Sequence, residues 1–274
     1  MRHLWRLLFF VLASATAHAQ SIDTSRVISL PTEALEGSLV IGHAPVGARV
    51  SVFDKDIRVG ADGAFVFAVP RETKGSVRVT FTTTAHESYS KQVKVLPKEW
   101  VEQRVNGVPP ATVNPPPAIA ERIAREQASV VEARKRNDNR EDFLQTFIWP
   151  VKGRISGQFG NRRVYNGQPG AAHSGADIAA AKDTPIKAPA DGVITFANPD
   201  LYLTGGTVVL DHGFGVSTNY LHMSRIDVKV GDVVKQGDIL GAVGATGRAT
   251  GPHLHWGMSW FETRVDPLLM VQGQ

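Results

Sequence analysis

Near the C-terminus, Gly251-Pro252-His253-Leu254-His255-Trp256 carries two histidines two positions apart, with Trp256, Met258 and Trp260 following. This pattern predicts a strand. Successive strand side chains alternate faces, so His253 and His255 point to one side and Leu254 to the other. Two imidazoles on one side of one strand can share a metal-and-water site. Alone the pair is weak evidence, because many strands carry two histidines by chance.

Nine histidines are present. His3 and His18 belong to a leader, and His43 and His86 read as ordinary surface histidines with no carboxylate partner at useful spacing. The other five, His173, His212, His222, His253 and His255, all lie in the last hundred or so residues. His173-Ser174-Gly175-Ala176-Asp177 puts a carboxylate four residues after an imidazole. That offset keeps one face in either an extended segment or a helix, and Gly175 favours the extended form. The competing reading of this cluster is a structural His–Asp hydrogen bond. A hydrolytic zinc site takes three His, Asp or Glu ligands and leaves one position for water. His173, Asp177 and one of His253 and His255 would supply three, and the spacing does not say which. A metal-activated water also needs a proton acceptor within hydrogen-bond reach. The remaining histidine of the pair is one candidate, and His222 is a second.

The elements that must hold these residues are β-rich. Candidate strands from Trp149 onward are Thr184 to Lys187, Gly192 to Asn198, Thr207 to Asp211, Gly215 to Leu221, Ile239 to Gly244 and His253 to Trp260. Turns at Gly205-Gly206 and Gly213-Phe214-Gly215 predict antiparallel hairpins. Val228 to Val243 looks like the hairpin of lipoyl or biotinyl carrier domains, but lacks a modifiable lysine dipeptide at its tip. Further upstream, Gly37 to Ile41, Ala48 to Phe53, Ala64 to Val69, Val77 to Thr83 and Tyr89 to Leu96 read as strands. Asp54-Lys55-Asp56 and Ala61-Asp62-Gly63 are read as turns between them. Five strands in about sixty residues predict a small immunoglobulin-like β-sandwich.

Between these parts, Val108-Pro109-Pro110 and Asn114-Pro115-Pro116-Pro117 form a stiff connector. Ala118 to about Phe147 has neither proline nor glycine and predicts a solvated helix, with Glu121/Arg125 and Glu132/Arg136 four apart. Six basic and six acidic residues cancel between 121 and 142, which argues against a nucleic-acid arm. Phe143, Leu144, Phe147 and Ile148 are expected to dock the end of this segment on the domain C-terminal to it. The expected organisation is therefore mainly β: a signal peptide (1–19), a small β-sandwich (20–97), a proline-rich and helical linker (98–148) and an antiparallel β-sheet domain with a groove (149–274).

His173-x-x-x-Asp177, Tyr220-Leu221-His222-Met223-Ser224 and Thr246-Gly247-x-x-Thr250-Gly251-Pro252-His253-Leu254-His255 occur in this order. With Trp149-Pro150-Val151, Gly157-x-Phe159-Gly160 and Ala188-Pro189-Ala190-Asp191-Gly192, they resemble the lysostaphin/LytM-type zinc metallopeptidases over roughly Trp149 to Leu268. That resemblance implies a zinc endopeptidase that cuts peptidoglycan cross-links or stem peptides, with one Zn2+ per chain. It further implies His173, Asp177 and His255 as metal ligands and His222 and His253 as catalytic residues. His212 matches a histidine outside the metal shell. In some latent members of the family an asparagine blocks the zinc, and Asn161 follows the Phe159-Gly160 turn near the expected groove. The alternative within the same resemblance is a silent or latent relative that binds cell wall or activates a separate wall amidase. The presence of all five site residues favours the enzyme.

Composition narrows the setting. Arg2 and Arg6, the apolar run Leu7 to Ala13 and Ala17-His18-Ala19 form a secretory signal, with cleavage expected after Ala19. This implies a periplasmic or secreted protein, and the resemblance implies a peptidoglycan peptide as its partner. No later stretch is apolar for long enough to span a membrane. Without the two leader arginines, twenty-eight basic residues face twenty-six acidic, a balance of +2 that does not argue for nucleic acid. The chain has no cysteine, so disulfides and thiolate ligands are excluded, and a metal must use histidine, carboxylate and water.

Overall fold

The computed structural model describes residues 28–106, 115–165 and 167–273. The signal-peptide segment, and the connector residues Pro109, Pro110 and Asn114, lie outside the described residues.

The chain is mainly β, and the histidine-bearing strands form one eight-stranded antiparallel sheet. Its order runs Val233–Val234, Gly192–Leu201, Gly205–Asp211, Val216–Met223, His253–Trp260, Gly175–Ala179 and Arg154–Gly157, with Thr263–Val265 also paired to His253–Trp260. Alternation decides the two faces. Leu254, Trp256 and Met258 point into the core with Ile178 and Tyr220, all fully buried. Burying side chains of this size stabilises by roughly 1.5–3 kcal/mol each. The opposite face of the same strand is left to His253, His255, Gly257 and Ser259. Pairing Asp177 with His255 and Leu221 with His255 brings three neighbouring strands to one point on that face.

Most predicted strands occur within two or three residues of their expected bounds, and His253–Trp260 matches throughout. The Gly205-Gly206 turn does not. The hairpin reverses just before them, at Tyr202-Leu203-Thr204, and both glycines lie inside Gly205–Asp211, where a Cβ on Gly205 would sit 2.1 Å from Thr246 Oγ1. They permit close backbone approach instead of reversing the chain. Gly213-Phe214-Gly215 is a turn, with positive φ at all three residues and Val216 N–H donating to the Gly213 carbonyl.

The N-terminal strands form a five-stranded sheet (Glu33–Leu35, Ser88–Leu96, Ser76–Thr82, Arg49–Val52, Lys55–Ile57) and a two-stranded sheet (Leu39–His43 with Ala64–Ala68) that share a core. Asp54-Lys55-Asp56 is not a turn throughout. The reversal is at Phe53-Asp54, both with positive φ, and Lys55–Ile57 is a strand. His43 does have a nearby carboxylate, since the fold brings Asp62 to 3.9 Å. Ala64–Ala68 is buried on both faces: Phe65 and Phe67 pack into the N-terminal core, while Val66 and Ala68 join the core of the large sheet.

The helix is shorter than expected, Pro117–Ala133. The chain leaves it through Asn137-Asp138-Asn139, side chains that compete with helical hydrogen bonding, and Arg140 pairs with Asp142 and Asp211. Phe143 and Phe147 enter the core, with Phe143 5.1 Å from the Phe214 ring. Leu144 does not dock; it is exposed because its one-turn 3-10 helix, Asp142–Leu144, gives only Phe143 the inward position.

Candidate metal and catalytic site

Asp177 lies on Gly175–Ala179, directly across from His255 on His253–Trp260. His173 precedes the former strand and leans over it. Its Nε2 is 3.2 Å from Asp177 Oδ1 and 3.0 Å from His255 Nδ1, and His255 Nδ1 is 3.0 Å from Asp177 Oδ1. His222, at the end of Val216–Met223, puts its ring centroid 4.8 Å from that of His253 and 6.3 Å from that of His255. All five residues named from the sequence thus meet on one sheet face. His253 sits at the edge of the triad, with Nε2 3.8 Å from Asp177 Oδ1.

Backbone carbonyls decide which nitrogen of each ring is available. His173 Nδ1 donates to the Gln158 carbonyl at 3.0 Å, His222 Nδ1 to Thr246 at 2.8 Å and His253 Nδ1 to Gly251 at 2.9 Å. A carbonyl only accepts, so the proton of each neutral ring is on Nδ1 and the Nε2 lone pair faces the centre. His255 is turned the other way, with Nδ1 toward the centre and Nε2 3.5 Å from Ser174 Oγ. None of these carbonyls was legible in the motif, because every residue type carries one. Thr246 was within the motif. Its hydroxyl donates to the Met223 carbonyl and accepts from Gly206 N–H, which pins the loop that holds His222.

The electrostatics follow from burial and proximity. Burial would raise the Asp177 carboxyl, but hydrogen bonds and charge from His173 and His255 outweigh it and hold the group well below the usual carboxylate range. Burial pushes the His255 imidazole down to about 4 and lowers that of His222, so both are neutral at pH 7. With these nitrogens deprotonated, two imidazole lone pairs and a carboxylate oxygen within 3.2 Å of one another repel unless a cation takes the place of the protons that otherwise join them. A nitrogen, nitrogen and oxygen donor set fits zinc, so the residues present suit the group that the motif implies.

His222 has φ of +63°, a left-handed conformation that is costly for a residue with a Cβ. Its N–H donates to the Thr204 carbonyl, and its ring is directed to the site at that cost. His212 lies outside the group. It is fully buried between the Asp191 carbonyl and Thr218 Oγ1, and burial drives its imidazole down to about 4. Asn161 has its side-chain oxygen engaged elsewhere, accepting from Val101 N–H at 3.0 Å. Its carbonyl in turn accepts from His173 N–H.

The family model for peptidase family M23 matches residues 171–267, which contain all five side chains. A crystal structure described as a peptidase M23 from Pseudomonas aeruginosa superposes with a TM-score of 0.67 at 31% identity, covering 86% of this chain and 94% of that one. The chain belongs to peptidase family M23. Among curated relatives, the cell division protein DipM of Caulobacter vibrioides is 31% identical over 200 residues, covering 71% of this chain and 31% of that protein. The peptidoglycan DD-endopeptidase ShyA of Vibrio cholerae is 39% identical over 123 residues, covering 44% of this chain and 28% of that protein. The chain thus spans under a third of the length of these two relatives.

Proposed function

We propose that the chain is a zinc-dependent endopeptidase that hydrolyses peptide bonds in peptidoglycan cross-links or stem peptides. The observation that carries this reading is the convergence of His173 Nε2, Asp177 Oδ1 and His255 Nδ1, with the rings of His222 and His253 beside them. His173, Asp177 and His255 would hold the ion. When bound, zinc supplies Lewis-acid polarisation of a carbonyl and acidifies water. In this reading His253 takes the water's proton at Nε2, the atom left free by the Nδ1–H···O=C bond to Gly251, and returns it to the leaving amine. His222 Nε2, oriented in the same way by Thr246, positions the water or, once protonated, stabilises the developing oxyanion.

Family membership and the relative named as a DD-endopeptidase support the substrate class. The signal-like N-terminus supports a place in the periplasm or outside the cell, where peptidoglycan lies. No helix among the described residues is long and apolar enough to cross a membrane. We assign hydrolysis to 149–274 and leave protein regulators open. The Asn161–Val101 bond favours an accessible site over the latent alternative.

The test is to incubate purified wall fragments with the chain, with and without chelator, and to identify new peptide ends by mass spectrometry. New ends that vanish with chelator and with His253→Ala are expected. A zinc-loaded chain that cuts no wall peptide removes the hydrolase reading in favour of the amidase-activating one.

A further inference from the structure

Two guanidinium groups near the centre take no part in the chemistry above. Arg134 follows the last turn of Pro117–Ala133 and is 7% exposed. Its side chain makes no hydrogen bond or ion pair among the described residues, and its Nε is fully buried. Arg264, on Thr263–Val265, makes one hydrogen bond, from Nη1 to Asn219 Oδ1 at 3.1 Å, and no ion pair among the described residues. The two repel one another. Burial drives Arg134 down to about 9 and Arg264 down to about 10, and Glu262 attracts Arg134 only from beyond ion-pair distance. Taking a charge out of water without a partner is strongly unfavourable. A fold that does so twice at one place has room for an anion.

The room is a cavity of about 300 Å³ between the helix and the large sheet, lined by both arginines. Its one carboxylate, Glu126, is already taken up by Arg122 Nε at 2.6 Å and Tyr202 N–H at 2.8 Å. The cavity continues the metal-bearing face. Leu221, on its wall, is the cross-strand partner of His255; Asn219 is the partner of Gly257, and Arg264 of Ser259. Ser174, also on the wall, is the residue beside His255 Nε2. The Arg264 guanidinium reaches back along the strand: it bonds Asn219 Oδ1, which lies over Gly257, two strand residues or roughly 7 Å from His255. Gly257 and Gly175 lie between that guanidinium and His255, with the Asn219 side chain packed on the first and His255 Nε2 on the second.

We propose that Arg264 and Arg134 form a carboxylate-binding subsite for the peptide substrate, with Asn219 orienting Arg264. The proposal rests on the peptidase reading and deepens it: the chain selects peptides with a free carboxylate about two extended residues from the bond that is cut. The planar guanidinium fork matches a carboxylate, and an amide in its place offers no charge to the buried pair.

The test is calorimetric titration of the zinc-loaded chain with acetyl-diglycine as the free acid and as its C-terminal amide. The acid is expected to bind at least tenfold more tightly. Arg264→Gln and Arg134→Gln should each reduce that ratio to near one. Arg134→Met, measured without peptide, should unfold at the same or higher urea concentration, because it removes an unpaired buried charge. Equal binding of acid and amide overturns the subsite, as does a preference that survives both arginine replacements and so belongs to the metal. Wall cleavage without acid preference would remove the subsite and leave the hydrolase. Acid preference without cleavage would do the reverse.

Discussion

Gly157→Ala isolates the positioning of a single ligand atom. Gly157 is the cross-strand partner of Asp177, and a Cβ built on it lies 2.4 Å from Asp177 Oδ2 and 3.0 Å from Cγ. Ordinary contact begins at 3.4 Å, so the carboxylate must retreat by 1.0 Å at Oδ2, the difference between 3.4 and 2.4. The φ of Gly157 is not positive, so alanine meets no backbone penalty there. The expected cost to folding is therefore only that of an off-rotamer aspartate, about 1 kcal/mol. A shift of about 1 Å in a group that sets reaction geometry costs on the order of 100-fold in rate, and disturbed ligand support costs roughly 10–100-fold in metal affinity. Zinc affinity from competition with a calibrated chelator, read beside the urea midpoint, separates the two effects. Gly153→Ala is the control for a clash with backbone, since its Cβ would lie 2.1 Å from the Ala179 carbonyl oxygen and should cost stability first. If Gly157→Ala keeps zinc affinity and turnover within twofold of the parent, Asp177 is not a ligand held from Gly157 and the site assignment fails.

Three further outcomes are expected. His222→Gly and His222→Ala both lose the ring and should both lose turnover, but at φ +63° the glycine variant should be the more stable by about 1 kcal/mol, the reverse of the usual order in a strand; paired urea titrations decide it. His212 has a folded pKa below its unfolded value, so its contribution is present above about pH 6.5 and is lost as pH falls toward 4. The stability difference between the parent and His212→Gln should therefore shrink by about 3 kcal/mol over that window, from 2.5 units at 1.36 kcal/mol each; a flat difference would show that the imidazole is not buried neutral. Phe143→Ala should cost about 3–5 kcal/mol in the urea midpoint, because the side chain is fully buried against Phe214 and tethers the segment after the helix to the large sheet.

Much of the site was legible before the fold. Strand alternation alone puts His253 and His255 on one face, and Gly175 argues for an extended His173-to-Asp177 segment, which is how those residues lie. The apolar run from Ala64 to Val69 signals a strand, but not that its Val66 and Ala68 would belong to a different core from Phe65 and Phe67. The linker misled in a physical way. Charge balance and the absence of proline and glycine say helix as far as Phe147, yet Arg140 finds Asp211 seventy-one residues away, and that pairing and the burial of Phe143 end the regular structure early.

What the sequence determined by itself was local: residue chemistry, the period-two faces of the strands, and the ordered motifs that carry the family. What only the tertiary structure decided was register and orientation. Parity cannot rank His255 above His253, but pairing Asp177 opposite His255 makes that ring the one that converges with His173. Nor can any sequence pattern name the carbonyls of Gln158, Thr246 and Gly251, which choose the free nitrogen on three rings, or the two arginines that form no ion pair among the described residues. The reason is that backbone groups are the same at every residue, so their role depends wholly on where the chain returns.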